Sequence, residues 1–148
     1  MKTLPVTPPK ILLVDDNHDG LIVRKALLEE LGYRVTTAQS GEEGLKTFES
    51  EKFDVVVTDF RMTPGMNGAE LIEKVRQYDP NARIILLSGF VEPLGLTERN
   101  TGADAVIAKS SNEPAQLARW VKRLANHGNI RKPPSRQTGS AKSEAASR

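Results

Sequence analysis

The chain has 148 residues, 38% of them apolar and 27% charged, which suits one domain of ordinary size with some extra chain. It has no cysteine, so disulfides, thiolate nucleophiles and zinc–thiolate sites are excluded, and no apolar run nears the ~20 residues that cross a bilayer. The net charge of +2 belongs to the C-terminus: residues 128–148 hold five of the 21 basic residues and one of the 19 acidic ones, so residues 1–127 carry −2 and offer no basic face to nucleic acid.

Residues 1–9 contain three prolines and no periodicity, and read as a flexible lead. Their start, Met1-Lys2-Thr3-Leu4-Pro5, lacks a secretory apolar region, which agrees with a cytoplasmic location. Residues 10–127 form the patterned domain. Lys10 to Asp15 is a continuous apolar run of buried-strand type. Asp19 to Leu31 spaces Ile22, Val23, Ala26, Leu27 and Leu31 as the inward face of a helix, stopped by Gly32. Arg34 to Ala38 is a short strand. Ser40 and Glu43 then form a capping box for a helix that buries Leu45 and Phe48. Phe53 to Thr58 is a β-branched strand ending at Asp59. Asn67 to Tyr78 is a helix with Leu71, Ile72 and Val75 inward, broken by Asp79-Pro80-Asn81. Arg83 to Leu87 is a strand ending at Ser88, and Glu92 to Thr101 is a helix weakened by Pro93 and Gly95. Ala105 to Ala108 is a strand ending at Lys109. The last helix, Glu113 to Asn126, buries Leu117, Trp120, Val121 and Leu124. Residues 128–148 are rich in Ser, Pro, Lys, Arg and Ala, with no large apolar side chain after Ile130, and read as a disordered basic tail.

Five strand–helix repeats predict an α/β fold, a doubly wound five-stranded parallel sheet with right-handed crossovers. With strand order 2-1-3-4-5 the topology reverses between strands one and three, and sites in such sheets lie beyond the carboxyl ends of the strands. Asp15-Asp16 ends the first strand, Asp59 the third, Ser88 the fourth and Lys109 the fifth. One aspartate alone reads better as a helix cap. Three acids converging on one cleft read better as a site for a hard divalent cation, and a cluster that keeps several waters suits Mg2+. A lysine and a hydroxyl beside such a cluster are the parts that hold a phosphoryl group.

The runs Ile11-Leu12-Leu13-Val14-Asp15-Asp16-Asn17 and Asp54-Val55-Val56-Val57-Thr58-Asp59 come first among five elements in order. Met62 through Pro64 with Met66 and Gly68, then Leu86-Leu87-Ser88, then Gly102-Ala103-Asp104 with Lys109 complete the set. Together they closely resemble the receiver domain of two-component response regulators, the flavodoxin-like fold of the chemotaxis regulator. The resemblance implies Asp59 as phosphoacceptor, with Mg2+ held by Asp16, Asp59 and the backbone carbonyl of Arg61, and by Asp15 through water. It implies Lys109 against a phosphoryl oxygen and Ser88 swinging toward the phosphoryl group. It also implies a signalling protein rather than an enzyme acting on an external substrate, with a histidine kinase or histidine phosphotransfer protein as donor. Output would be a docking surface of the fourth helix, fifth strand and fifth helix for a downstream protein. Direct DNA binding and membrane insertion are not expected, because no output domain follows, and a weak homodimer stays open.

Four departures from the family pattern stand out: the longer Met62-Thr63-Pro64, Val106 where an aromatic is usual, Ser110 where proline is usual, and Pro93 with Gly95 in the fourth helix. Arg61 and Phe90 occupy positions that in the family influence loss of the phosphoryl group. His18 and His127 read as solvated, and Trp120 as core. Two competing readings are a pseudo-receiver that signals without phosphorylation and a flavodoxin-like hydrolase or nucleotide binder. The second would want a Gly-rich phosphate loop, and none is present.

Overall fold

A computed structural model describes residues 7–62, 64–89 and 95–129, the last three as backbone alone. Five strands form one parallel sheet: β1 (Lys10–Val14), β2 (Arg34–Ala38), β3 (Val55–Asp59), β4 (Ile84–Ser88) and β5 (Ala105–Ala108), in the order 2-1-3-4-5. Between and after them lie α1 (His18–Glu30), α2 (Gly41–Ser50), α3 (Gly68–Tyr78), α4 (Glu98–Thr101) and α5 (Glu113–Asn129). This is the doubly wound sheet that the alternating pattern predicts.

Strand residues alternate strictly between two cores, because successive side chains leave a sheet on opposite faces. Ile11, Leu13, Val55, Val57, Ile85 and Leu87 meet Leu21 and Leu28 of α1 and Leu117, Val121 and Leu124 of α5. Leu12, Val14, Val56, Ile84 and Leu86 meet Phe48 of α2 and Leu71, Ile72 and Val75 of α3. The apolar runs are unbroken because both faces are covered. Registers such as Val14 with Thr58 and Thr58 with Leu86 bring the carboxyl ends of the central strands to one rim.

The caps sit where the chain reverses into each helix. Ser40 accepts from the Glu43 amide at 3.0 Å, while the Glu43 carboxylate reaches the Gln39 amide at 2.7 Å rather than that of Ser40. Asn67 and Glu70 close a reciprocal box at the start of α3.

Three expectations change. The inward face of α1 is Leu21 and Leu28, with the expected Leu27 packed beside them, whereas Ile22, Val23 and Leu31 are 53%, 66% and 51% exposed. Apolar residues at 21, 22, 23, 26, 27, 28 and 31 wrap more than half the helix, so spacing allowed two stripes and the sheet selected one. Of the expected Glu92–Thr101 helix, the described residues from 95 onward hold a single turn from Glu98, capped by Thr97 and ended by Gly102 at φ +81°; Pro93 and Phe90 lie outside the described residues. The last helix continues past Asn126 to Asn129. Residues 1–6, Thr63 and the tail from 130 also lie outside the description, as does the side chain of His127.

Candidate functional site

β1 and β3 end side by side, so the backbone delivers Asp15, Asp16 and Asp59 to one place. One carboxylate oxygen from each lies within 4.8 Å of the others. Asp15 and Asp59 are buried, at 1% and 5% exposure, and Asp16 faces solvent. The cap of α1 is Asn17, whose side chain accepts from the Gly20 amide at 3.0 Å. The capping duty therefore falls outside the acidic pair.

β4 and β5 bring the other two groups. Lys109 Nζ stands 2.7 Å from Asp59 Oδ1 across a cleft of about 310 Å3 lined by Asp16, Asn17, Asp59, Arg61, Ser88, Gly89 and Lys109. The Lys109 amide donates to the Ser88 carbonyl at 3.0 Å, which pins the start of one loop to the end of the neighbouring strand. Ser88 is 2% exposed. Asp15, Asp16, Asp59, Ser88 and Lys109, with Arg61, are thus gathered at the predicted rim; His18 is exposed at the start of α1, outside the cleft lining.

Burial pushes the Asp59 carboxyl above its ordinary range, and the nearby Asp15 charge adds to this. The hydrogen bond and charge of Lys109, with the charge of Arg24, pull in the opposite direction. The site therefore holds the Asp59 carboxylate partly compensated.

Two residues were missed by sequence reasoning. The Arg24 guanidinium donates Nη1 to Asp15 Oδ2 at 2.8 Å, and Nε and Nη2 to the two carboxylate oxygens of Glu113 at 2.9 Å each. The signal was available: Arg24 falls between Leu21 and Leu28 on the buried stripe, and an arginine there demands partners. Choosing the other stripe concealed it. All-oxygen donors with an exposed member that keeps water suit Mg2+.

The sequence matches the response regulator receiver domain over residues 11–122. This chain belongs to that family. Receiver domains are signalling modules of two-component systems. A receiver domain protein of Methanospirillum hungatei, described as CheY-like, superposes with a TM-score of 0.74 at 33% identity, covering 82% of this chain and 97% of that one. A response regulator of Thermotoga maritima solved in complex with Mg2+-BeF gives 0.71 at 36% identity, covering 78% of this chain and 98% of its own. A response regulator receiver protein of Anaeromyxobacter is 36% identical over 109 residues, which is 73% of this chain and 45% of that protein. This chain spans about half the length, or less, of the first curated relatives it matches. No described helix is long and apolar enough to cross a membrane.

Proposed function

We propose that this receiver accepts a phosphoryl group on Asp59 in a two-component phosphorelay. The observation that carries this reading is the 2.7 Å contact between Lys109 and Asp59 inside a cleft that also holds Asp16 and Ser88. An Asp59 oxygen attacks phosphorus in line as the P–N bond of a donor phosphohistidine breaks, and the bonding pair leaves with the imidazole nitrogen. Lys109 exchanges its bond to the carboxylate for one to a phosphoryl oxygen, and the Ser88 hydroxyl takes another. Asp16, Asp59 and the Arg61 carbonyl would hold Mg2+, with Asp15 acting through water; the ion would neutralise charge on the phosphoryl oxygens. Water attacking phosphorus later returns the Asp59 carboxylate and free phosphate.

The donor is a histidine kinase or histidine phosphotransfer protein, and the setting is cytoplasmic. Such a donor has to seat its imidazole over a carboxylate on the cleft floor. Output passes to a downstream protein through a shift in population rather than through chemistry on an external substrate.

Incubation with a small phosphodonor tests the assignment. A mass increase of about 80 Da that needs both Mg2+ and Asp59, and is lost in Asp59→Asn, is the expected result. No increase in the wild type with Mg2+ present would favour a receiver that signals unphosphorylated.

A further inference from the structure

Arg24 and Glu113 lie 89 residues apart in sequence, and no step above uses either. Both side chains are nearly buried, at 12% and 11% exposure, and the Asp15 carboxylate that Arg24 grips is at 2%. Every donor position of the guanidinium fork facing α5 is taken by Glu113, and the remaining edge by Asp15. Asp15 in turn has both oxygens committed, Oδ1 to the Asn17 amide at 2.9 Å and Oδ2 to Arg24. Space has been kept for this contact. A Cβ at Gly20 would stand 2.8 Å from Arg24 Nη1 and 3.0 Å from Asp15 Oδ2.

We propose that Arg24 and Glu113 form a built-in charge regulator of the cation site, in which Arg24 is a resident counter-ion for Asp15 and Glu113 sets how much of its charge an incoming divalent cation meets. The inference rests on the reading that Asp15, Asp16 and Asp59 hold Mg2+. A guanidinium beside a cation's carboxylate competes with that cation, and a glutamate clamped to its far side cancels most of the competing field. Arg24 is thus a positioning residue, orienting Asp15 without taking part in phosphoryl transfer. Because Glu113 lies in the first turn of α5, occupancy of the site is also tied to the contact between α1 and α5.

Charge arithmetic separates this role from a plain structural brace. Glu113→Gln leaves Arg24 with uncancelled charge, so Mg2+ binds more weakly. Arg24→Met removes the competitor and leaves Glu113, so Mg2+ binds more tightly. The double variant restores the wild-type balance and returns near the wild-type affinity. Each single shift is roughly three- to tenfold in dissociation constant, the size expected of one partly screened charge. A brace predicts the reverse pattern: both single variants loosen the site in the same direction, and the double is no better than the worse of them.

The experiment is an amide chemical-shift titration of the 148-residue chain and each variant with MgCl2, reading residues 15–17 and 59–61, with thermal unfolding in metal-free buffer confirming that each variant folds. Opposite shifts for the two single variants support the proposal, as does a Mg2+-dependent displacement of the Glu113 and Gln116 amides that Arg24→Met abolishes. Shifts of the same sign, or none, overturn it while leaving the metal reading intact. No titration in the wild type overturns the metal reading, and this proposal with it. Should Arg24→Met fail to fold, Gly20→Ala pushes Arg24 off Asp15 with every charge retained. It is then expected to change the affinity, and an unchanged dissociation constant in that variant counts against the regulator.

Discussion

Gly68 shows how closely the end of β3 at Asp59 is packed. A Cβ there would lie 2.3 Å from the Asp59 carbonyl oxygen and 2.9 Å from the Phe60 Cα, both backbone atoms that cannot rotate away. Its amide donates to the Phe60 carbonyl at 2.7 Å, so α3 begins against the residue that follows Asp59. Gly68→Ala should cost about 1–3 kcal/mol in urea unfolding, as overpacking does, and should slow phosphoryl uptake because Asp59 has to move. Unchanged stability and uptake would show that the close approach is not a constraint. Asp15, Asp16, Asp59, Ser88 and Lys109 were legible from the sequence because each ends a strand or directly follows one, and strand ends are local features. Arg24 was not, because its meaning depends on Glu113, which only packing brings near.

Among the elements, α1 separates what periodicity can say from what it cannot. The helix itself was plain from its apolar spacing, yet of the stripe read as inward Leu27 packs on the core while Ile22, Val23 and Leu31 face solvent. Leu28 is fully buried and Ile22 is 53% exposed. Leu28→Ala is therefore expected to lower stability by ~2–5 kcal/mol, and Ile22→Ser by less than ~0.5 kcal/mol. Urea denaturation of the two variants checks the assignment, and equal losses would contradict it. At the far edge of the sheet, α4 is too short to bury a stripe. It contributes instead through Glu98, whose carboxylate accepts from the Val106 amide at 3.1 Å on edge strand β5. That contact occupies a backbone donor that an edge strand otherwise leaves open.

At the scale of the whole molecule, the site makes the fold less stable. The Asp59 carboxyl titrates above its unfolded value, chiefly through burial. In the window between the two values the native state binds more protons than the unfolded chain, so stability falls as pH rises through it. Asp59→Asn should thus raise the midpoint of thermal unfolding at pH 7 in metal-free buffer. Adding MgCl2 should narrow the gap by stabilising the wild type, since a ligand that binds only the folded state shifts the equilibrium toward it. A lower midpoint for Asp59→Asn without metal would contradict this account. The alternation of strand and helix, the parallel sheet and the rim where its acids gather were determined by the sequence alone, because strand length, apolar run and helix cap are set by neighbours along the chain. Which stripe of α1 is buried, and the bridge from Asp15 through Arg24 to Glu113, were decided only in three dimensions. Helical spacing with excess apolar residues is degenerate, and an ion pair between α1 and α5 exists only because both helices pack on the same face of the sheet.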